Sequence, residues 1–195
     1  MSSATYQPVL VATAAGLTPA AIETANGLLA DWGHNLGPCR RPFGSEGWVL
    51  EVAGRPVSVA VSASTVGSTA AGYPRGELVE LARLCSAPGC RWATRVMLRL
   101  WREVAGPAWS YWPARAAVAY SQNDRHEGRI YRFDGWRRVT DRAGAPPGPN
   151  ATWTKHRGPG HPAAGPKSLW LWEYPQPHRP APADRTNQEG PTQCQ

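Results

Sequence analysis

One stretch of this chain limits the possible folds more than any other: a leucine-rich segment, a sharp break and an amphipathic helix. Leu78–Cys85 reads LVELARLC, a pattern open to helix or strand. Its length and its place after a hairpin favour a strand. Ser86-Ala87-Pro88-Gly89 then breaks the chain. Beyond it Ala93, Val96, Met97, Leu100, Trp101 and Val104 recur at helical spacing, and Gly106-Pro107 ends the run. Arg95, Arg99 and Arg102 lie on the outer face of that helix. A strand, a small-residue loop and a helix in this order point to an α/β or α+β domain with a mixed sheet.

The flanking segments agree. Trp48–Val52 and the alternating Val57, Val59, Val61 and Ala63 are joined by Ala53-Gly54-Arg55, the pattern of a β-hairpin. On the other side, Ala114–Tyr120 reads as a strand and Ser121–Glu127 as a polar loop. Gly128–Asp134 reads as a short helix stopped by Gly135, and Trp136–Thr140 as a strand. Leu169–Tyr174 (LWLWEY) has the β propensity of a last strand. Near the start, Tyr6, Val9, Leu10 and Val11 mark a first strand within 6–15. Thr18-Pro19 looks like an N-cap and first helical residue, with Ile22, Ala25, Leu29 and Trp32 on one face and Gly33 as the stop. Residues 64–76 are small and polar and read as loop. The pattern predicts a single domain over 1–175, a Gly/Pro-rich insertion over 143–167, and a disordered tail over 176–195, which has no large apolar side chain.

Charge narrows the partners. Lys+Arg number 21 against 14 Asp+Glu, a net +7, which favours nucleic acid or a phosphorylated cofactor. No apolar run reaches the ~20 residues of a membrane span. No basic segment precedes Val9-Leu10-Val11, so a cytoplasmic protein without a membrane partner is expected. Cys39, Cys85, Cys90 and Cys194 lack CxxC spacing and no HxxxH accompanies them. Reduced thiols and no metal site are expected.

The loop Ser86–Thr94 has its own chemistry. A small-residue loop that opens a helix presents unpaired N–H groups and the positive end of the helix dipole, which suit a diphosphate. Arg91 and Arg95 stand nearby. An ordinary strand–helix connection is the alternative. Neither GxGxxG nor GxxxxGK[ST] occurs, so a dinucleotide site and a P-loop are not indicated.

This order of elements resembles the GNAT acyltransferase superfamily. Two stretches also resemble the Mom-type phage DNA-modification proteins. The first is Glu77-Leu78-Val79-Glu80-Leu81-Ala82-Arg83-Leu84 followed by Ala93-Thr94-Arg95. The second is Ala119-Tyr120-Ser121, His126-Glu127-Gly128-Arg129-Ile130-Tyr131 and Gly135-Trp136, with Pro166-Lys167 before the final strand. The resemblance covers about residues 48–175. The chain departs from it at Ala119, where that pattern has Ser, and at Gln122, where it has Asp; Asp124 follows two residues on.

The resemblance implies a GNAT-like acyl-CoA N-acyltransferase fold with splayed central strands. It implies acetyl-CoA or another acyl-CoA, held by Leu84, Cys85, Ser86, Cys90, Arg91, Trp92, Ala93, Thr94 and Arg95. Tyr131 would protonate the leaving thiolate. Ser121, Asp124 and His126 would act in catalysis or substrate contact. The Mom-type likeness implies that the acceptor is the N6 amine of adenine in double-stranded DNA, reached by flipping the base. Arg40, Arg41, Arg137, Arg138, Lys155 and Arg157 would then contact phosphates. The alternative is an N-acetyltransferase for a small-molecule or protein amine, in which the charge serves only CoA. A third reading is a catalytically silent DNA- or protein-binding module on the same fold.

Overall fold

The computed structural model describes residues 15–143 and 166–175. Within it β3 (Arg55–Ala63) is buried on both faces from Val57 to Ala63, so both faces of its sheet must be covered. On one side Val59, Val61 and Ala63 pack with Ala25 and Leu29 of α1 (Ile22–Asp31). On the other, Ala60 packs with Met97, Leu98 and Trp101. These come from α2 (Ala93–Leu100) and the π-helical turn Trp101–Ala105 that continues it.

The remaining strands are β1 (Ala15–Ala20), β2 (Ser45–Val52), β4 (Thr69–Ala70), β5 (Tyr73–Pro74), β6 (Leu78–Ser86), β7 (Ala116–Gln122), β8 (Arg137–Ala143) and β9 (Lys167–Glu173). A seven-stranded sheet runs β1-β2-β3-β6-β7-β9-β8. Its strands pair antiparallel except β6 with β7, which are parallel. A parallel pair needs a crossover, and α2 supplies it. The small β4–β5 hairpin brings Ala70, Ala71 and Tyr73 against a third apolar cluster, Leu78, Ala116, Val118, Leu169 and Leu171. The third helix, α3 (Arg129–Phe133), lies between β7 and β8 in the chain.

The hairpin, β6, α2, β7, α3, β8 and β9 occur where the sequence places them. The start differs. Thr18 and Pro19 belong to β1, where Pro19 faces Trp48 of β2, and the helix begins at Ile22 without a side-chain cap. β1 is an edge strand, so a residue without an N–H costs little there, and pairing with β2 outweighs the local capping signal. The helical face itself is as read, with Ala25 and Leu29 fully buried. The 64–76 loop carries β4 and β5, and β8 and β9 extend to Ala143 and Lys167, the ends of the expected insertion. The first-strand residues 6–14, the interior 144–165 with Lys155 and Arg157, and the tail 176–195 lie outside the described residues.

Candidate active site

The site begins with a failure of pairing. β6 and β7 hold register from Leu78 with Ala116 to Leu81 with Ala119, and no further. Yet β6 continues beside β3 to Ser86, and β7 beside β9 to Gln122. The two central strands therefore part after Leu81. A bulge marks the same place: Val61 opposes Arg83 and Ser62 opposes Leu81, leaving Ala82 as the extra residue. A bulge bends its strand and leaves backbone groups unpaired.

The gap is a cleft of about 800 Å³. Leu81–Cys85 form one wall, Tyr120–Gln122 and Arg125–Tyr131 the other, with Thr94 of α2 at one end. His34, Asn35 and Leu36 line it from the α1–β2 connection, and the Asn35 amide donates to Gln122 across the cleft at 3.3 Å.

Tyr131 enters the cleft wall from α3. Gly128 starts that helix at φ +65, and a Cβ there would meet the Trp170 ring at 2.4 Å, so the position requires glycine. Tyr131 stacks on Trp170 at 5.7 Å and meets Trp136 edge-on at 5.5 Å. Among the described residues its hydroxyl has no hydrogen-bond partner. Burial, and then the field of Glu80, hold its proton well above the ordinary phenol range.

Glu80 is the residue that reading the sequence missed. It is 5% exposed on β6, one residue before the strands part, and takes a 2.9 Å ion pair from Arg41. Burial outweighs Arg41 and raises its pKa. Tyr120, at the start of the unpaired end of β7, is pushed up to about 12 by desolvation and then by Glu80, with Arg41 opposing. The signal was present: a lone carboxylate interrupts an apolar strand at LVELARL. The ion pair with Arg41, and the fields of Arg83 and Lys167, offset the cost of burying it.

The loop before α2 is more internally bonded than expected. The N–H groups of Cys90, Ala93 and Thr94 donate to Ala87, Cys90 and Arg91 carbonyls. Those of Gly89, Arg91 and Trp92 have no acceptor among the described residues. Ser86 and Thr94 join hydroxyls at 2.8 Å where β6 meets α2. Arg91, Trp92 and Arg95 are exposed, Cys90 is half-buried, and the Ala93 side chain is in the core. Leu84, Cys85 and Thr94 line the cleft.

The other expected residues divide. Ser121 lines the cleft but is 3% exposed and accepts the Trp170 indole N–H at 2.8 Å. His126 is an exposed cleft residue. Asp124 is exposed on the turn beside the cleft and is not among its lining residues. Arg40 is exposed, whereas Arg41 is committed to Glu80. Arg137 and Arg138 are exposed on β8, opposite Leu171 and Trp170, and so leave the strand on opposite faces. No group of His, Cys, Asp or Glu among the described residues is arranged to hold a metal. No helix among them is long and apolar enough to cross a membrane.

No family model and no curated protein matches the chain. Solved structures do. The IAA acetyltransferase from Bacillus cereus aligns with a TM-score of 0.50 at 12% identity, over 83% of this chain and 100% of that one. An acetyltransferase assigned to the GNAT family from Desulfovibrio desulfuricans gives 0.49 at 12%, over 82% and 99%. A Bacillus subtilis acetyltransferase solved in complex with CoA gives 0.49 at 9%, over 83% and 99%. The likeness defines a class of fold: this chain shares the mixed-sheet fold of the Bacillus cereus acetyltransferase. None of these structures links it to the Mom-type proteins.

Proposed function

We propose that the protein is an acyl-CoA-dependent N-acyltransferase, using acetyl-CoA or another acyl-CoA and acting on the amine of a small molecule or a protein. The observation that carries this reading is the parting of β6 and β7 at Leu81, which opens a cleft walled by unpaired strand on one side and Tyr131 on the other. A pantetheine arm is a chain of amides, and an unpaired strand edge offers amides their partners. The vacant N–H groups of Gly89, Arg91 and Trp92 and the exposed Arg91 and Arg95 suit a diphosphate.

Acyl transfer forms a C–N bond and breaks a C–S bond. One proton must leave the attacking nitrogen and one must reach the sulfur. Glu80, with its raised proton affinity, is suited to accept the first. Tyr131, whose hydroxyl is otherwise unused, is suited to donate the second. Its raised pKa does not forbid this, because the burial that strengthens the phenol's hold on its proton also strengthens that of a thiolate beside it. An N–H on β6 past the Ala82 bulge would polarise the thioester carbonyl. Calorimetric titration of the full chain with CoA tests the reading; no binding overturns it.

Modification of the adenine N6 amine in double-stranded DNA has less behind it. Arg41 is spent on Glu80, and Arg137 and Arg138 point to opposite faces. Duplex affinity that falls steeply with salt would restore that reading, and salt-independent or absent binding favours the small-amine or protein acceptor.

A further inference from the structure

Periodicity puts Arg102 on the outer face of its helix, yet the folded chain leaves it only 6% exposed. It stands in the π-helical turn Trp101–Ala105, a rare geometry found most often at functional sites. A buried guanidinium is costly unless it is paired. Arg102 is paired mainly with one residue. Its Nη1 donates to the Asp134 carbonyl at 2.6 Å and lies 3.1 Å from the Asp134 carboxylate. Its Nη2 takes Glu103 at 2.7 Å, and its plane lies over the Trp172 ring, 3.8 Å from the centroid. Arg99 adds a second bond to the Asp134 carboxylate, at 2.7 Å.

Asp134 closes α3, a helix of five residues, too short to hold its own position. From Asp134 the contacts lead back to Tyr131. The Asp134 N–H donates to the Tyr131 carbonyl at 3.1 Å, and its carboxylate accepts the Trp136 indole N–H at 3.2 Å. The Trp136 backbone N–H donates to the same Tyr131 carbonyl at 3.0 Å, and its ring meets Tyr131 edge-on. The Tyr131 hydroxyl has no hydrogen-bond partner among the described residues, so nothing at that end of the side chain fixes its direction. Its aim is set by the rings around it and by where α3 sits. A misplacement of about 1 Å costs a reacting group on the order of 10²-fold in rate.

Resting on the acyl-transfer reading, we propose that Arg102 and Asp134 are positioning residues: the pair holds α3 so that the Tyr131 hydroxyl is directed at the sulfur of the acyl donor. Neither residue lines the cleft, so neither acts by touching the cofactor. Arg102 grips both the main-chain carbonyl and the carboxylate of Asp134, and a grip on two groups fixes the rotation of the helix end as well as its place. An apolar contact of the same area is non-directional and would fix neither. Asp134 then holds Trp136, the ring against whose face or edge Tyr131 rests.

The test compares CoA with desulfo-CoA, in which hydrogen replaces the thiol, and so needs no acceptor. Both are titrated calorimetrically against the full chain at about pH 9, where the thiol is partly ionised while burial keeps the Tyr131 phenol protonated. The parent should prefer CoA about tenfold, the effect of a hydrogen bond to a charged acceptor, and Tyr131→Phe should abolish that preference. Arg102→Gln should reduce it to about twofold or less while desulfo-CoA binds as tightly as it does to the parent. Asp134→Asn, which keeps an oxygen for the Trp136 indole, should do the same and serves if Arg102→Gln does not fold. An undiminished preference for CoA in these variants overturns the proposal. So does an equal loss of both affinities, or the failure of both variants to fold, because the pair then only supports the structure. A preference that survives Tyr131→Phe shows that the phenol does not face the sulfur, and the proposal falls with acyl transfer left standing. A parent chain that binds no CoA removes the acyl-transfer reading itself.

Discussion

At the scale of single residues, Tyr131 and His34 make the most definite predictions. Tyr131→Phe keeps the stack on Trp170 and the edge contact with Trp136, and removes only a hydroxyl with no bond to lose. The variant is expected to melt within about a degree of the parent and to bind CoA normally. Its kcat should fall by roughly 10²–10⁴, the range for loss of a general acid. Full activity removes Tyr131 from the mechanism, and a folding defect marks it as a packing residue. His34 lines the cleft, accepts the Leu36 N–H at Nδ1 at 3.2 Å, and has its pKa lowered from 6.5 to about 4 by desolvation and then by Arg83. The unfolded chain thus binds this proton more readily than the folded one. Stability from His34 is complete above its unfolded pKa of 6.5 and is lost as pH falls towards about 4. Urea unfolding should show a decline over that window worth about 2 kcal/mol after solvent screening. His34→Gln should flatten it; an unchanged slope would show that His34 does not titrate this way.

At the scale of elements, α3 depends on a single glycine. Gly128 combines φ +65 with a Trp170 ring 2.4 Å from where a Cβ would stand. Gly128→Ala meets both a conformational penalty and an overpacked neighbour, together about 2–4 kcal/mol. A fall of roughly 5–10 °C in Tm is expected. The cost falls on the site as well, because relief comes by moving Trp170, on which Tyr131 stacks. The prediction is a joint loss of stability and kcat, and a variant that melts normally would show that α3 has room to shift. The π-helical turn shows a related dependence. It lets the Gly106 N–H reach the Trp101 carbonyl at 2.7 Å and turns Arg102 inward onto Asp134, 3.1 Å away, and onto the Trp172 ring. The sequence run predicts a plain helix through Val104, and nothing in its periodicity signals the wider turn.

At the scale of the whole molecule, the sheet is one surface with an opening at its centre. β6 and β7 are each secured on their outer sides by β3 and β9, so the gap between them persists without a ligand to hold it. A ligand that bridges the gap ties together the two halves of the sheet. CoA at a hundred times its Kd should add about 2.7 kcal/mol to stability. For a chain of this size that is a rise of about 5–10 °C in Tm, readable by thermal shift. The absence of any shift at millimolar CoA would contradict the proposed cofactor cleft.

Much of this architecture depends on short-range pattern and is legible along the chain. The period of Ala93–Trp101 gives α2, the alternation on either side of Gly54 gives the hairpin, and the Pro-Gly break separates β6 from α2. Gly128 and Gly135 bracket α3, the short helix that carries Tyr131. These features follow from backbone preference and side-chain spacing within a few residues. The features that make a site do not. Whether Thr18-Pro19 starts a helix or fills an edge strand was decided by the free edge of β2. The bulge at Ala82, the parting at Leu81 and the meeting of Arg41 with Glu80 each join segments distant in sequence. Pairing register and the burial of a charge are properties of contacts between elements, and only the folded sheet brings those elements together.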